Sequence, residues 1–202
     1  MVLENKLGIT ESAKLAREEE RISKIKAIEL FTDDLLQGKT IGTFETLAFI
    51  HQHLFSDIYE FAGKIRKENI AKGSFRFAPV MYLESSLEHI GQMPHGTFDE
   101  IVEKYVEMNA AHPFREGNGR SARIWLDHMF KYSLGKVVDW NRVDKGDYLL
   151  AMERSPIKDI EIKHLLKQSL TDQVNSREVF MKGLDASYHY EGYTTYNSED
   201  LM

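Results

Sequence analysis

The sequence predicts an all-α protein folded as a single helical domain, with one small β-hairpin as the exception. Three observations carry that prediction. Only four of the 202 residues are proline, so most long segments run without a helix breaker. Apolar residues make up 42% and charged residues 29%, the balance of a globular chain with room for one full core and hardly for two. Most segments space their apolar residues at helical intervals, and a single stretch alternates instead.

The first 31 residues, MVLENKLGITESAKLAREEERISKIKAIELF, alternate charges at helical spacing and contain no continuous apolar run. They read as neither a secretory signal nor a membrane span, and no span follows. Residues 10–36 read as one or two charged amphipathic helices, with REEER, residues 17–21, as a solvated face. In residues 43–59, Phe44, Leu47, Ile50, Leu54 and Ile58 form one helical stripe, and Thr43 suits the N-cap. Residues 63–80, GKIRKENIAKGSFRFAPV, alternate apolar and polar and hold a Lys72-Gly73-Ser74 turn signal, so they predict the hairpin, which Pro79 stops. Phe75 and Phe77 read as packing beneath it or as a clamp on a bound partner, with packing ahead.

Helices follow over 81–92 and 97–111, the second with Thr97 and Glu100 spaced as a capping box. Another spans 118–133 and is closed by Gly135. Further helices are predicted over 145–154, 159–174, 176–183 and 186–191, and the tail from Tyr193 reads as frayed. These elements divide into an N-terminal helical extension (1–42), a core (43–175) with hairpin 63–80 and loop 112–120, and a C-terminal helix with its tail (176–202).

Charge and cysteine usage narrow the function. A net charge of −6 argues against a general nucleic-acid binder, which shows a basic face. With no cysteine, disulfides, thiolate catalysis and cysteine-held zinc are excluded, and a cytoplasmic, membrane-free location fits. The other seven histidines show no metal-ligand spacing and read as structural or surface groups.

The chemistry concentrates in HPFREGNGR, residues 112–120, between two predicted helices. Gly117 and Gly119 permit positive φ and close approach of a ligand to the backbone, so the amides of Gly117, Asn118 and Gly119 can cradle an anion. The start of the next helix adds unpaired N–H groups and a positive dipole end. Arg120 and Arg123 lie three residues apart with Asp127 on the same side, opposite the apolar Ala122, Trp125, Leu126 and Met129, and so extend a phosphate site. Glu116 is a lone carboxylate of the kind that holds Mg2+ among phosphates. His112 offers an imidazole suited to taking a proton from an attacking hydroxyl, and Phe114 reads as the loop's apolar anchor. The set serves nucleotidyl or phosphoryl transfer, and it is no P-loop, because it follows a helix and lacks that pattern.

With Arg123, this run matches the signature H-x-F-x-[DE]-G-N-G-R-x-x-R at every specified position, and the chain resembles the Fic domain family. LFSDIYEFAGKIRKENIAKG, FAPV and VDWNRVDKGDYLLAM resemble its upstream helix, flap and downstream helix, so the likeness runs over about residues 43–170. It implies a Fic-type helical domain that moves AMP from ATP to a Tyr, Thr or Ser hydroxyl of a target protein. It implies His112 as base, Glu116 as ligand of Mg2+ (or of Mn2+ or another divalent ion), and the Gly117-Asn118-Gly119 backbone as anion hole. Arg120 and Arg123 would bind the outer phosphates, and Lys72 would reach a phosphate from the hairpin. The hairpin becomes a flap on which the target adds an extended strand, and self-association stays open.

SYHYEG, residues 187–192, resembles the family's inhibitory [ST]-x-x-x-E-[GN] motif. Ser187 and Glu191 fall on one helical face and Gly192 closes the helix. A glutamate in a last turn opposes the helix dipole and calls for a cationic partner; the resemblance implies Arg123, with Glu191 blocking the γ-phosphate. In some relatives this glutamate orients a water that removes AMP. An autoinhibited transferase, a de-AMPylating or bifunctional enzyme, and a non-catalytic scaffold are therefore carried together, the last opposed by the joint presence of His112 and Glu116. Tyr188, Tyr190 and Tyr193 read as packing residues or as sites of self-modification.

Overall fold

A computed structural model describes residues 2–72 and 75–201. Its described elements are α1 (Ser12–Thr32), α2 (Phe44–Phe55), β1 (Ala71–Lys72), β2 (Phe75–Arg76), α3 (Val80–Gln92), α4 (Phe98–Ala111), α5 (Asn118–Leu134), β3 (Val137–Val138), α6 (Lys145–Arg154), α7 (Ile160–Ser169), β4 (Leu170–Thr171) and α8 (Arg177–Tyr190). Helix α5 lies at the centre, packed against α2, α4 and α8. Trp125, Leu126, Met129 and Phe130 on α5 are fully buried, as are Ile50 and Leu54 of α2 and Ile101 and Val102 of α4. That sheathing fixes both ends of α5, and its N-terminal end is where the motif loop sits. Among the described residues no helix is long and apolar enough to cross a membrane.

Local chemistry explains the boundaries that were anticipated. Thr43 accepts the Thr46 N–H to start α2, and Thr97 and Glu100 form the capping box of α4. Gly135, with φ of 63°, closes α5. The all-α reading with one small flap holds, and a second, unanticipated pair of two-residue strands accompanies it.

Five expectations are corrected, the last two of them together. The hairpin is far shorter than 63–80: Ala71 pairs with Arg76 and Lys72 with Phe75, while Gly73 and Ser74 of the predicted turn lie outside the described residues. Helix α7 stops at Ser169, because Leu170 and Thr171 turn away to pair with Val138 and Val137. The two helices expected over 176–191 are one, α8, in which Gly183 keeps helical backbone beside the Trp140 ring. An interior glycine costs about 1 kcal/mol against alanine, which the packing of α8 outweighs.

The remaining two corrections concern the charge run of α1 and the C-terminal tail. Glu19 and Glu20 of the supposedly solvated run are buried. Glu19 accepts the hydroxyls of Tyr59 and Tyr193, and Glu20 accepts the N–H groups of Thr195 and Tyr196 at about 3.1 Å. Lys24 donates to Asp185 at 2.9 Å and to the Tyr196 carbonyl at 2.5 Å. The segment after Tyr193 is therefore bonded to α1 rather than frayed, and it ends in a 3-10 turn over Ser198–Leu201.

Candidate active site

Helix α4 runs into His112, which takes the left-handed conformation (φ 51°, ψ 63°) while its N–H still bonds the Met108 carbonyl. A bulky residue there is a sparsely populated choice and marks a site that the surroundings enforce. Arg66 does the enforcing. Its guanidinium is buried and donates to the carbonyls of His112 (2.8 Å), Ala111 (3.1 Å), Glu68 (2.7 Å) and Ala78 (2.5 Å). One side chain thus ties the end of α4 to both stems of the hairpin. Nothing in the local sequence pattern distinguishes this arginine from a surface one.

The His112 ring stacks on Phe77 at 3.7 Å, and Phe75 meets Phe77 edge-on at 5.1 Å. His112 Nδ1 lies 3.3 Å from the Asn109 carbonyl. A carbonyl only accepts, so Nδ1 carries the hydrogen, and in the neutral ring Nε2 holds the lone pair. Nε2 is the nitrogen able to receive a proton.

Beyond His112 the loop is braced from inside. Asn118 accepts the Phe114 N–H at 2.8 Å and donates to the Phe114 carbonyl at 2.7 Å, closing a ring around the turn. Gly117 has φ of 78°, and a Cβ there would meet the Phe55 ring at 2.5 Å, so both conformation and space require glycine. At Gly119 an added Cβ would collide with Glu191 Oε1. Glu116 accepts the Gly117 N–H at 3.0 Å, a carboxylate seated on the positive end of α5, and its side chain keeps 43% exposure.

His51, read from sequence as structural or surface, proves structural. It is buried, donates from Nε2 to the Glu116 carbonyl (2.8 Å), accepts the Gly63 N–H (2.9 Å), and stacks on Phe114 at 3.8 Å. Burial, aided by the Arg120 charge and offset in part by the Glu116 carbonyl and Glu19, pushes its pKa down to about 4. In the unfolded chain the imidazole titrates near 6.5. Between those values the unfolded state binds more protons, so stability rises with pH there and is lost as pH falls from about 6.5 towards 4. Chemical denaturation across that window should show roughly 3 kcal/mol of acid sensitivity from this group, absent in His51→Gln.

The two arginines do share a face with Asp127 as the spacing required, but that face is covered. Arg120 is 1% exposed, and Nη1 lies 2.7 Å from Glu19 Oε1 and Nη2 3.3 Å from Glu116 Oε1. Its guanidinium is flanked by the Phe55 and Tyr193 rings at 4.9 and 4.6 Å. The nearer of the two anions it meets in this structure is a carboxylate of α1, Glu19, which the sequence pattern did not anticipate. Arg123 donates from Nε to Ser187 Oγ (2.7 Å) and from Nη2 to the Ser187 carbonyl (2.9 Å) and Glu191 Oε1 (2.9 Å). Glu191 caps α8 and Gly192 follows with φ of 90°. The cationic partner demanded by a glutamate at a helix C-terminus is thus Arg123, 68 residues away. Lys72 stands on β1, and its side chain lies outside the described residues.

The arrangement is an imidazole and a carboxylate at the two ends of one braced loop, the carboxylate on the start of α5, with an α8 glutamate on the second arginine. A family model described as Fic/DOC family matches residues 42–130. "Protein adenylyltransferase VbhT" of Bartonella schoenbuchensis is 31% identical over 194 residues, 88% of this chain, and the chain spans 39% of VbhT's length. "Probable protein adenylyltransferase y4lH" of Sinorhizobium fredii is 30% identical over 166 residues, covering 76% of this chain and 83% of y4lH. The crystal structure of BepC from Bartonella tribocorum with bound AMPPNP superposes with a TM-score of 0.69 at 20% identity, over 86% of this chain and 94% of BepC, a likeness of fold. The motif loop, the helical architecture around it and these relatives agree: the chain belongs to the Fic/DOC family.

Proposed function

We propose that the protein is an adenylyltransferase that moves AMP from ATP to a hydroxyl of a target protein, and that α8 restrains it. The observation that carries the reading is the His112 geometry, with Nδ1 tied to the Asn109 carbonyl and the ring stacked on Phe77, at the head of the loop that leads into α5. The shared names of VbhT and y4lH support the same activity. His112 Nε2 takes the proton as the target oxygen bonds to the α-phosphorus and pyrophosphate leaves. The backbone of Gly117, Asn118 and Gly119 and the dipole of α5 stabilise the charge gathering on the phosphates.

Among the described residues no three histidine or acidic side chains cluster to hold a metal by themselves. A single half-exposed carboxylate, Glu116, instead suits a Mg2+ ion whose other ligands are phosphate oxygens and water. When bound there, Mg2+ would neutralise phosphate charge. Arg120 and Arg123 then serve the outer phosphates, Arg123 after parting from Glu191 and Arg120 in balance with Glu19. The β1–β2 flap receives the target as an added strand, with Lys72 assigned to a phosphate.

The restraint follows from the pair on Arg123. With Nε and Nη2 of Arg123 bonded to Ser187 and Glu191 and Nη1 3.4 Å from the Tyr148 hydroxyl, Glu191 holds the carboxylate-binding edge that a γ-phosphate needs, so nucleotide binding and the α8 contact compete. Glu191→Gly is expected to raise transfer of labelled AMP to protein by about 5–150-fold, the span of a 1–3 kcal/mol coupling. Unchanged labelling would remove α8 from the regulation.

A further inference from the structure

Bordered by Arg123 and Ser187, a half-open cavity of about 120 Å³ lies between α1, α5 and α8, walled also by β3 and the segment before α8. Leu30, Ile124, Val138, Val179, Phe180 and Leu184 give it an apolar lining. Apolar cavities near 150 Å³ hold a benzene-sized guest, and this half-open space is of the same order, so a single ring is the largest guest it suits.

Its polar lining departs from an ordinary packing void. His128 is 3% exposed and both ring nitrogens are buried. The Leu36 backbone answers at most one of them, so at least one ring nitrogen is left without a hydrogen-bond partner. A buried ring nitrogen left without a partner forfeits the hydrogen bond it made to water, and natural structures rarely leave such groups unexplained. Beside it, Asp127 accepts the Val138 N–H at 2.8 Å and the Trp140 indole N–H at 2.7 Å, with lone-pair capacity left on both oxygens. A hydroxyl answers both groups, because it donates to a carboxylate or imidazole nitrogen and accepts from an imidazole N–H.

Charge narrows the class further. Arg123 and Lys131 line the same cavity as Asp127 and Asp34. A cationic guest would meet the first two and an anionic guest the second two, so the balance favours a neutral molecule. We propose that this cavity is a binding site for a neutral, single-ring molecule carrying a hydroxyl group, and that its occupancy holds α8 in place. Ser187, the last α8 residue in the wall, is itself bonded to Arg123 at 2.7 Å. A guest that fits between α5 and α8 stabilises the arrangement in which it fits, keeping Glu191 on Arg123. The holding of α8 as inhibition rests on the regulatory reading above, whereas the binding does not.

The test titrates p-cresol into the full chain, with toluene as the ring lacking a hydroxyl, and follows both tryptophan indole N–H resonances by NMR. The site predicts saturable p-cresol binding that moves the Trp140 resonance and leaves Trp125, bonded to the Thr43 carbonyl on the opposite side, unmoved. Toluene should bind at least tenfold more weakly. Leu184→Phe, which fills the cavity, should lose p-cresol binding while unfolding cooperatively, and Ile124→Phe serves as a second filler. Absence of saturable binding, equal affinity for toluene, or full binding by a folded filler variant overturns the site. Saturating p-cresol should lower AMP transfer by the unsubstituted protein several-fold and leave Glu191→Gly unaffected. An unaltered rate in the unsubstituted protein overturns the holding of α8 alone. Failure of Glu191→Gly to gain activity would instead sink the inhibitory reading, with the binding result standing apart.

Discussion

In a Glu191→Gly background, replacing His112 with alanine is expected to lower AMP transfer by about 10²–10⁴-fold, the usual contribution of a positioned general base. The loss belongs to the proton acceptor and not to nucleotide binding. Nδ1 is occupied by the Asn109 carbonyl, the ring is held face-on to Phe77, and the backbone is fixed by Arg66, so the orientation of Nε2 is determined before substrate arrives. The amides of the α5 start and the guanidinium of Arg123 are untouched by the change, so nucleotide affinity should stay within a few-fold. His112→Asn separates the base from the turn. Asparagine tolerates left-handed backbone and keeps a polar group, yet it cannot take the proton. Both variants should be inactive by intact-mass detection of AMP on protein. Transfer within tenfold of the parent by either one would strip His112 of the assigned role.

What the sequence disclosed and what it hid divide along a physical line. The caps at Thr43 and Thr97, the stop at Gly135 and the loop signature each depend on partners within a few residues, so local pattern suffices to find them. Glu19, Glu20 and the segment after Tyr193 depend on each other across some 175 residues, and each alone looks like ordinary polar surface. A signal did exist. Leu15, Glu19, Ser23 and Ala27 stand at four-residue intervals on α1 and all are buried, so Glu19 continues an apolar stripe and is out of keeping with it. The burial of Arg120 was hidden for the same reason, since its spacing from Arg123 fixes a shared face but not what covers that face. Arg66 left no trace at all, because its four acceptors are backbone carbonyls, and carbonyls carry no residue identity. The β3–β4 pair escaped because two-residue strands hold too little alternation to register.

Removal of Glu19 is expected to be the most destabilising single change discussed, at about 3–5 kcal/mol for Glu19→Ala, because it strands a buried guanidinium. Arg120 would keep its aromatic neighbours and one anionic contact, Glu116, which is 43% exposed and correspondingly screened. The hydroxyls of Tyr59 and Tyr193 would lose their acceptor in the same step. Burial by itself would raise the Glu19 carboxyl, but the Arg120 charge and the two tyrosine hydroxyls outweigh it and hold the group below its usual range. A depressed folded value means that the contribution is fully present above the ordinary carboxylate pKa and disappears as pH drops through the folded one. The cost of Glu19→Ala, read by chemical denaturation, should therefore shrink under acid conditions. A second substitution isolates the cause. If the penalty comes from an abandoned charge, Glu19→Ala with Arg120→Met should recover much of the loss, since apolar replacement of a buried pair is often neutral. If the double variant is instead as unstable as the sum of its parts, Glu19 stabilises chiefly by fastening α1 to Tyr59 and Tyr193, and the ion pair adds little.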